Sequence, residues 1–352
     1  MTGRGYDDVP PRAHAPRHSS PMPQTFPVTC APIRTTRITM LALGALVGAA
    51  ASGCTVATSR MVPMAAGAEA AVDWSAVDAA MGRPGVVQPG AVQRYNFPRG
   101  DLTVVVQDPR GDVTLRPAFA LGGWIAMHGT GSGDSVMAMG DLVVTETELP
   151  AVMSRLQEGG VEQTAVHHHV MRESPRVLYV HISAHGDAVK IAETVRAAVA
   201  LTKAPAPAPA GPAPAGPAPA IDIDTAGVSK ALGHAGRANG GVYQVNAPRP
   251  ETIRDAGMPV PGSMGLGTVM NFQPTGGGRA AITGDFVLLA SEVNPVIRAL
   301  RAANIEVTSL HNHMLTDEPR LFFMHFWAND DAVALARGLR SALDSTAQRA
   351  AR

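Results

Sequence analysis

The apolar positions of residues 268–345 change between strand spacing and helix spacing. Apolar stretches on both sides of the glycines at 276–278 predict a β-hairpin. Four apolar residues between positions 293 and 300 then recur at helical spacing, with Ser291 as the predicted N-cap and Glu292 in the first turn, where the helix dipole favours a carboxylate.

Two further strands and a closing helix complete the pattern. The strands IEVTSLHNHML and RLFFMHFWA flank a TDEP turn, and the amphipathic segment DDAVALARGLRSAL follows them. The order β-β-α-β-β-α predicts an α+β fold with antiparallel sheets and the helices on one face.

The chain carries this pattern twice. Residues 140–189 return without a gap as residues 284–333, an offset of 144 positions. The residues kept include Gly140, Asp141, Glu148, Glu162, Thr164, Pro175, Arg176 and Asp187, which reappear as Gly284, Asp285, Glu292, Glu306, Thr308, Pro319, Arg320 and Asp331. We therefore expect two tandem similar domains, at residues 72–203 and 221–345, that pack against each other as a pseudo-symmetric pair.

A spacer separates the two copies. Residues 204–220 have the sequence APAPAPAGPAPAGPAPA, which can form no apolar face and favours an extended polyproline conformation. A ligand for a proline-recognition domain is the alternative, but the segment lacks the arginine or lysine that such ligands use. The interpretation is a semi-rigid linker.

The N-terminal residues 1–53 indicate a disordered extension followed by a signal peptide. Arg34 and Arg37 precede an apolar run, residues 38–51, that is short for a transmembrane helix. The run ends in ASGC, which is similar to a bacterial lipobox with Cys54 as the lipidated residue. An ordinary secretory signal is the alternative; lipidation is favoured because the other cysteine, Cys30, lies in the removed segment.

Export would leave residues 54–71 as a tether and place the protein outside the cytoplasm, anchored by lipid in the bacterial membrane.

The composition fits a protein with two cores, since 45% of the 352 residues are hydrophobic. Lys and Arg total 29 and Asp and Glu total 29, and this lack of basic charge argues against a nucleic-acid partner.

Three histidines in each copy are the strongest candidate for chemistry. His311 and His313 lie two residues apart on one predicted strand, so they point to the same face. If the following turn centres on Glu318, His325 lies directly opposite His311 and joins them. The equivalent residues of the first copy are His167, His169 and His181.

Three histidines with an open fourth position form the common arrangement for catalytic zinc, and imidazole also binds Fe, Cu and Mn. We therefore expect one divalent transition-metal ion in each copy. Possible accessory groups in the turn are Glu173, Asp317 and Glu318 as carboxylates, and Arg176 and Arg320 as partners of a ligand anion or of the neighbouring acid. Histidines acting as acid–base groups without metal are the weaker alternative.

The block GDLV at residues 140–143, the H-x-H pairs followed by Pro-Arg, and the third histidines His181 and His325 resemble the LppY/LpqO bacterial lipoprotein family. This resemblance covers both halves of the chain. It implies an exported lipoprotein with a duplicated domain of unknown function, and it supplies no catalytic residues.

Two classes of function remain open at this point. The first is an exported lipoprotein with two metal sites and an unknown reaction. The second is a non-catalytic cell-envelope module that binds a cell-wall glycan, a peptide or an envelope protein. The sequence does not decide whether the protein is an enzyme.

Overall fold

The computed structural model describes residues 71–205 and 220–348. The predicted signal peptide, the lipidation site Cys54, nearly all of the tether and most of the proline-rich linker lie outside these residues. In the two described segments, every helix is too short or too polar to span a lipid bilayer.

The first copy consists of four helices and nine strands within its described part. The helices are α1 (Trp74–Met81), α2 (Pro117–Ala120), α3 (Leu149–Glu158) and α4 (Ala188–Val199). The strands are β1 (Val86–Gln88), β2 (Val92–Pro98), β3 (Val105–Val106), β4 (Val113–Thr114), β5 (Gly122–Gly129), β6 (Ser135–Thr145), β7 (Glu162–His167), β8 (Glu173–Ser174) and β9 (Val177–Asp187).

The second copy repeats the main elements of the first. Its helices are α5 (Thr225–Leu232), α6 (Ala290–Ala302) and α7 (Ala332–Leu343), with a short 3₁₀ helix at Gly262–Met264. Its strands are β10 (Gly236–Asn239), β11 (Val242–Pro248), β12 (Arg254–Asp255), β13 (Met258–Pro259), β14 (Gly267–Gly276), β15 (Arg279–Leu289), β16 (Glu306–His311) and β17 (Leu321–Asp331).

Each copy is built on one six-stranded antiparallel sheet. The strand orders are β1-β2-β5-β6-β9-β7 and β10-β11-β14-β15-β17-β16, which are equivalent. The prediction of a mixed fold with antiparallel sheets in two similar domains is confirmed. The order β-β-α-β-β-α is incomplete, because a leading helix and a strand pair (α1, β1 and β2; α5, β10 and β11) precede it in each copy.

The start of α6 differs from the prediction. The helix begins at Ala290, so Ser291 lies inside its first turn and is not the N-cap, which is Leu289. Glu292 does serve the helix terminus, since its Oε2 accepts a hydrogen bond from the Leu289 amide at 2.8 Å. Glu148 makes the same contact with the Thr145 amide at 2.8 Å.

One face of each sheet packs against helices of its own copy. Along β6, Val136, Ala138, Leu142 and Val144 belong to a core that includes Val152 of α3 and Ile191 of α4. Along β17, Met324 and Phe326 belong to the corresponding core with Val296 of α6 and Leu339 of α7. These positions alternate along their strands, as expected for a sheet with two distinct faces.

The other face of each sheet packs against the other copy. Residues between positions 104 and 121 of the first copy form an apolar cluster that includes Trp327 and Val242 of the second copy. Residues between positions 253 and 266 of the second copy form a cluster that includes Val92 and Met139 of the first. The space between the two sheets is therefore lined by both copies.

Candidate metal centre

The first and third histidines of each copy lie on neighbouring strands, as predicted, but in a different register. His169 and His313 were expected on the same strand as His167 and His311, but they lie two residues beyond the ends of β7 and β16. His311 on β16 pairs with Phe323 on β17, and His325 pairs with Ser309. The prediction that His325 lies directly opposite His311 is therefore wrong by two residues. Since side chains alternate faces along a strand, a shift of two residues still leaves His311 and His325 on one face.

The shift arises in the loop that joins the two strands. Oδ2 of Asp317 accepts a hydrogen bond from the Leu321 amide at 2.6 Å. The backbone of Glu318 exchanges hydrogen bonds of 2.8 and 2.9 Å with the backbone of Arg254. These contacts fix an irregular loop in place of a tight turn centred on Glu318.

All six candidate histidines gather in one cluster between the sheets. His167 and His311, which are equivalent in the two copies, stack with ring centroids 3.8 Å apart. Two more close ring contacts join the copies, His169 with His325 at 3.9 Å and His181 with His313 at 3.8 Å. The geometry has approximate twofold symmetry, and it differs from the expectation of one separate site in each copy.

Two carboxylates that the sequence analysis did not assign to the site complete the cluster. Asp141 on β6 lies opposite His181 on β9, and Asp285 on β15 lies opposite His325. Oδ2 of Asp285 is 3.0 Å from Nε2 of His313, and the equivalent distance from Asp141 to His169 is 3.4 Å. The repeated Gly-Asp pair was the available signal, but an aspartate inside an apolar strand can be assigned only when its neighbouring strand is known.

Many polar atoms of the cluster are buried without a hydrogen-bond partner. They are Nδ1 of His167, Nε2 of His169 and His181, both ring nitrogens of His311 and His313, and Oδ1 of Asp141 and Asp285. Nε2 of His169 and of His313 are close to the aspartates but lack hydrogen-bond geometry with them. Nearly all buried polar atoms in folded proteins have a partner, and such a concentration of donor atoms is compatible with a site that holds a metal ion.

Burial favours the neutral form of five of the six imidazoles. It lowers the pKa of His181 and of His313 to about 3. Burial, reinforced by the neighbouring imidazoles, also lowers the pKa of His167, His169 and His311 far below the ordinary value. Neutral imidazole is the form that donates a lone pair to a metal ion.

Contacts around the cluster orient the rings and the segments that carry them. Nδ1 of His325 lies 2.6 Å from the carbonyl oxygen of Gly284. If this nitrogen carries the proton, Nε2 is left unprotonated, and it faces Nε2 of His167 at 3.0 Å. Thr164 donates a hydrogen bond to the carbonyl of His313 at 2.7 Å.

The second copy returns the threonine contact, because Thr308 donates a hydrogen bond to the carbonyl of His169 at 2.6 Å. Each copy therefore fixes the backbone of the H-x-H segment of the other. Arg172 also forms an ion pair with Glu306 across the copies, at 2.6 Å.

The predicted accessory residues lie outside the histidine cluster. Glu173 accepts a hydrogen bond from the Val177 amide at 3.2 Å, and burial raises its pKa to about 7. Glu318 is exposed. Arg320 forms an ion pair with Asp317 at 3.0 Å, while Arg176 is exposed and 4.0 Å from Glu146.

Three sets of donor atoms lie close enough together, within 4.8 Å, to share one ion. Two of them combine both copies, namely His167, His169 and His325, and His167, His181 and His311. The third contains Asp285, His311 and His325 of the second copy. Imidazole and carboxylate donors suit Zn, Fe, Cu and Mn, so the residues present fit a transition-metal ion.

Comparison with known proteins identifies a family for both copies. A family model described as Domain of Unknown Function (DUF1259) matches residues 75–201 and again residues 226–345. Comparison with curated proteins gives no match.

Two solved structures are similar to parts of the chain. EtuB from Clostridium kluyveri has 9% identity over 74% of this chain and 90% of its own, with a TM-score of 0.17. The trimeric bacterial microcompartment shell protein PduB has 13% identity over 74% of this chain and 92% of its own, also with a TM-score of 0.17. A TM-score this low supports no conclusion about fold or function.

Proposed function

The chain belongs to the family described as Domain of Unknown Function (DUF1259), and we propose that it is a binding protein for divalent transition-metal ions. Its two copies would bind metal in one joint centre of six histidines and two aspartates. The observation that carries the proposal is the set of buried imidazole and carboxylate atoms without hydrogen-bond partners. Leaving each of these atoms unpaired costs about 1–3 kcal/mol, and coordination to a metal ion removes much of that cost.

Burial of the ligands determines how the centre would work. His181, His313 and His325 are each at most 5% exposed, so few waters compete for the ion. His167 and His311 are partly exposed and give the centre its approach from solvent. When bound, the ion would supply Lewis acidity at this opening, while the aspartates supply negative charge that balances it.

Metal content of untagged protein tests the proposal directly. The protein is loaded with excess zinc, iron, copper or manganese, desalted and measured by elemental analysis. We expect at least one of these metals to be retained. Retention of none of them contradicts the proposal, and the interpretation as a non-catalytic cell-envelope module then takes its place.

A matched control separates the centre from weak surface binding. His185 lies on β9 with His181, but it is exposed. We expect His185→Ala to keep the metal content of the wild-type protein, whereas His181→Ala loses metal. Equal losses in both variants would indicate binding at surface histidines.

We also propose that the protein is an LppY/LpqO-type lipoprotein, held at the outer face of a bacterial membrane through Cys54. The support is the basic and apolar segment ending in ASGC. Intact-mass measurement of the membrane fraction tests this: we expect a chain that begins at Cys54 with added lipid mass. Recovery of a soluble chain with unmodified Cys54 would refute the anchor without affecting the metal proposal.

A further inference from the structure

We propose that the centre holds two metal ions, and that the copies exchange their third histidines to form the two sites. One site, here called the first exchanged triad, consists of His167, His169 and His325. The second exchanged triad consists of His311, His313 and His181. This inference rests on the proposed metal-binding function and specifies which side chains share an ion.

Ring positions provide the first argument. In the first exchanged triad, the ring centroids are 5.1 Å (His167 to His169), 5.1 Å (His167 to His325) and 3.9 Å (His169 to His325) apart. The second exchanged triad has the equivalent distances 5.2, 5.2 and 3.8 Å. Two near-identical triangles thus use all six histidines without sharing any.

The first and third histidines of one copy are about as close as those of different copies, so the second histidine decides the assignment. His325 lies 4.7 Å from His311 of its own copy, and His181 lies 5.0 Å from His167. The third histidine of each copy lies only 3.8–3.9 Å from the second histidine of the other copy, which is shorter than its distance to the first histidine of its own copy. Nε2 of His325 and Nε2 of His167, only 3.0 Å apart, also belong to different copies.

Each exchanged triad has its own carboxylate. Asp141 is 3.4 Å from Nε2 of His169, and Asp285 is 3.0 Å from Nε2 of His313. Each ion would therefore meet three imidazoles and one aspartate, a set typical of transition-metal sites. The donor atoms of the first exchanged triad lie within 4.8 Å of one another. Two other sets within that distance are the competing arrangements: Asp285, His311 and His325, in which the second copy binds its own ion, and His167, His181 and His311.

The hydrogen bonds between the copies support the exchange. Thr164 holds the carbonyl of His313, and Thr308 holds the carbonyl of His169. The H-x-H segment of one copy is therefore held in place by the other copy. That other copy also contributes the third histidine of the same exchanged triad.

Two double variants of the full chain distinguish exchange from binding within each copy. In His169→Ala/His325→Ala, both changes fall in the first exchanged triad, so we expect zinc content to fall by half. In His313→Ala/His325→Ala, one change falls in each exchanged triad, so we expect nearly complete loss. Binding within each copy predicts the reverse result, because His313 and His325 then belong to one site.

Zinc content after loading and desalting is the measurement, and near-UV circular dichroism checks that each variant is folded. If an alanine variant is unfolded, the corresponding His→Gln double variant is scored by the same criterion. The reverse pattern overturns the exchange, and so does loss of all zinc from both variants, which would indicate one indivisible site. Wild-type protein without bound zinc, iron, copper or manganese would instead refute the proposed function itself.

Discussion

At the scale of single residues, the threonines beside the cluster connect the two copies through one buried and one partly buried hydrogen bond. Thr164 is 8% exposed, and its hydroxyl donates to a carbonyl of the other copy. The equivalent Thr308 makes the reciprocal bond. Removing either hydroxyl leaves a buried carbonyl with one partner fewer.

We expect Thr164→Val to lower the free energy of unfolding by about 1 kcal/mol, because the substitution keeps the shape and removes one hydrogen bond. Chemical denaturation of metal-free protein measures the loss. Thr103→Val is the control, since Thr103 is exposed, and its stability should match the wild type. Equal effects of the two substitutions would contradict a structural role for the Thr164 bond.

A second residue-scale prediction concerns acid stability. Burial by itself raises the pKa of Glu148, but hydrogen bonds from Arg99 and from the amides of Thr145 and Lys203 outweigh it and lower the pKa. A carboxylate with a lowered pKa stabilises the fold above its unfolded pKa, about 4.3, and this stability is lost as pH falls through the folded value.

We therefore expect Glu148→Gln to lower the free energy of unfolding at pH 7 by about 2–3 kcal/mol, because Arg99 keeps its charge and is only 2% exposed. The difference from wild type should shrink below about pH 4. Denaturation curves across this pH range measure it. A difference that stays constant down to pH 3 would show that the ion pair does not cause the stability.

At the scale of elements, two glycines set the spacing of the central strands. A Cβ atom on Gly284 of β15 would lie 1.9 Å from the carbonyl oxygen of Val269 on β14, and one on Gly140 would lie 2.4 Å from that of Trp124. Each glycine precedes an aspartate of the cluster. The repeated Gly-Asp pair therefore combines close packing of strands with a carboxylate at the centre.

We expect Gly284→Ala to lower the free energy of unfolding by about 2–3 kcal/mol, because two strands must separate to admit the methyl group. It should also weaken metal retention, because the Gly284 carbonyl contacts His325. Gly262→Ala is the control, since a Cβ there meets no atom within 4 Å. Denaturation and metal content of both variants check this; unchanged values for Gly284→Ala would refute it.

The local patterns predicted the strands, the helices and the common face of the histidines because these depend on spacing along the chain. Apolar alternation placed His311, His313 and His325 together even though the register was wrong by two residues. Asp141 and Asp285 were missed because their proximity to histidine depends on pairing with a distant strand. The packing of the two copies as a pseudo-symmetric pair was expected, but the faces that meet were not, since no local pattern encodes which sheet faces pack together.

At the scale of the whole molecule, the apolar clusters between the sheets mix both copies. Trp327 of the second copy packs among residues 104–121 of the first, and its indole also donates a hydrogen bond to Asp108 at 2.8 Å. Neither copy can lose its structure without exposing apolar surface of the other. The two copies are therefore coupled in unfolding.

We expect calorimetry of metal-free protein to show one cooperative transition for both copies. Leu156→Ala creates a cavity in the helix-packed core of the first copy. It should therefore lower the melting temperature of the single transition that both copies share. Two transitions, of which only one moves in the variant, would show that the copies unfold independently.

Bound zinc should stabilise the folded protein. At a zinc concentration 100 times the dissociation constant, we expect the free energy of unfolding to rise by about 2.7 kcal/mol per site.

A centre assembled from two halves of one polypeptide does not depend on the meeting of two molecules. The linker keeps the H-x-H segment of one copy and the third histidine of the other at a high effective concentration, whatever the abundance of the protein. A pair of separate chains with the same ligands would come apart on dilution. Gene duplication with fusion thus makes the centre insensitive to expression level.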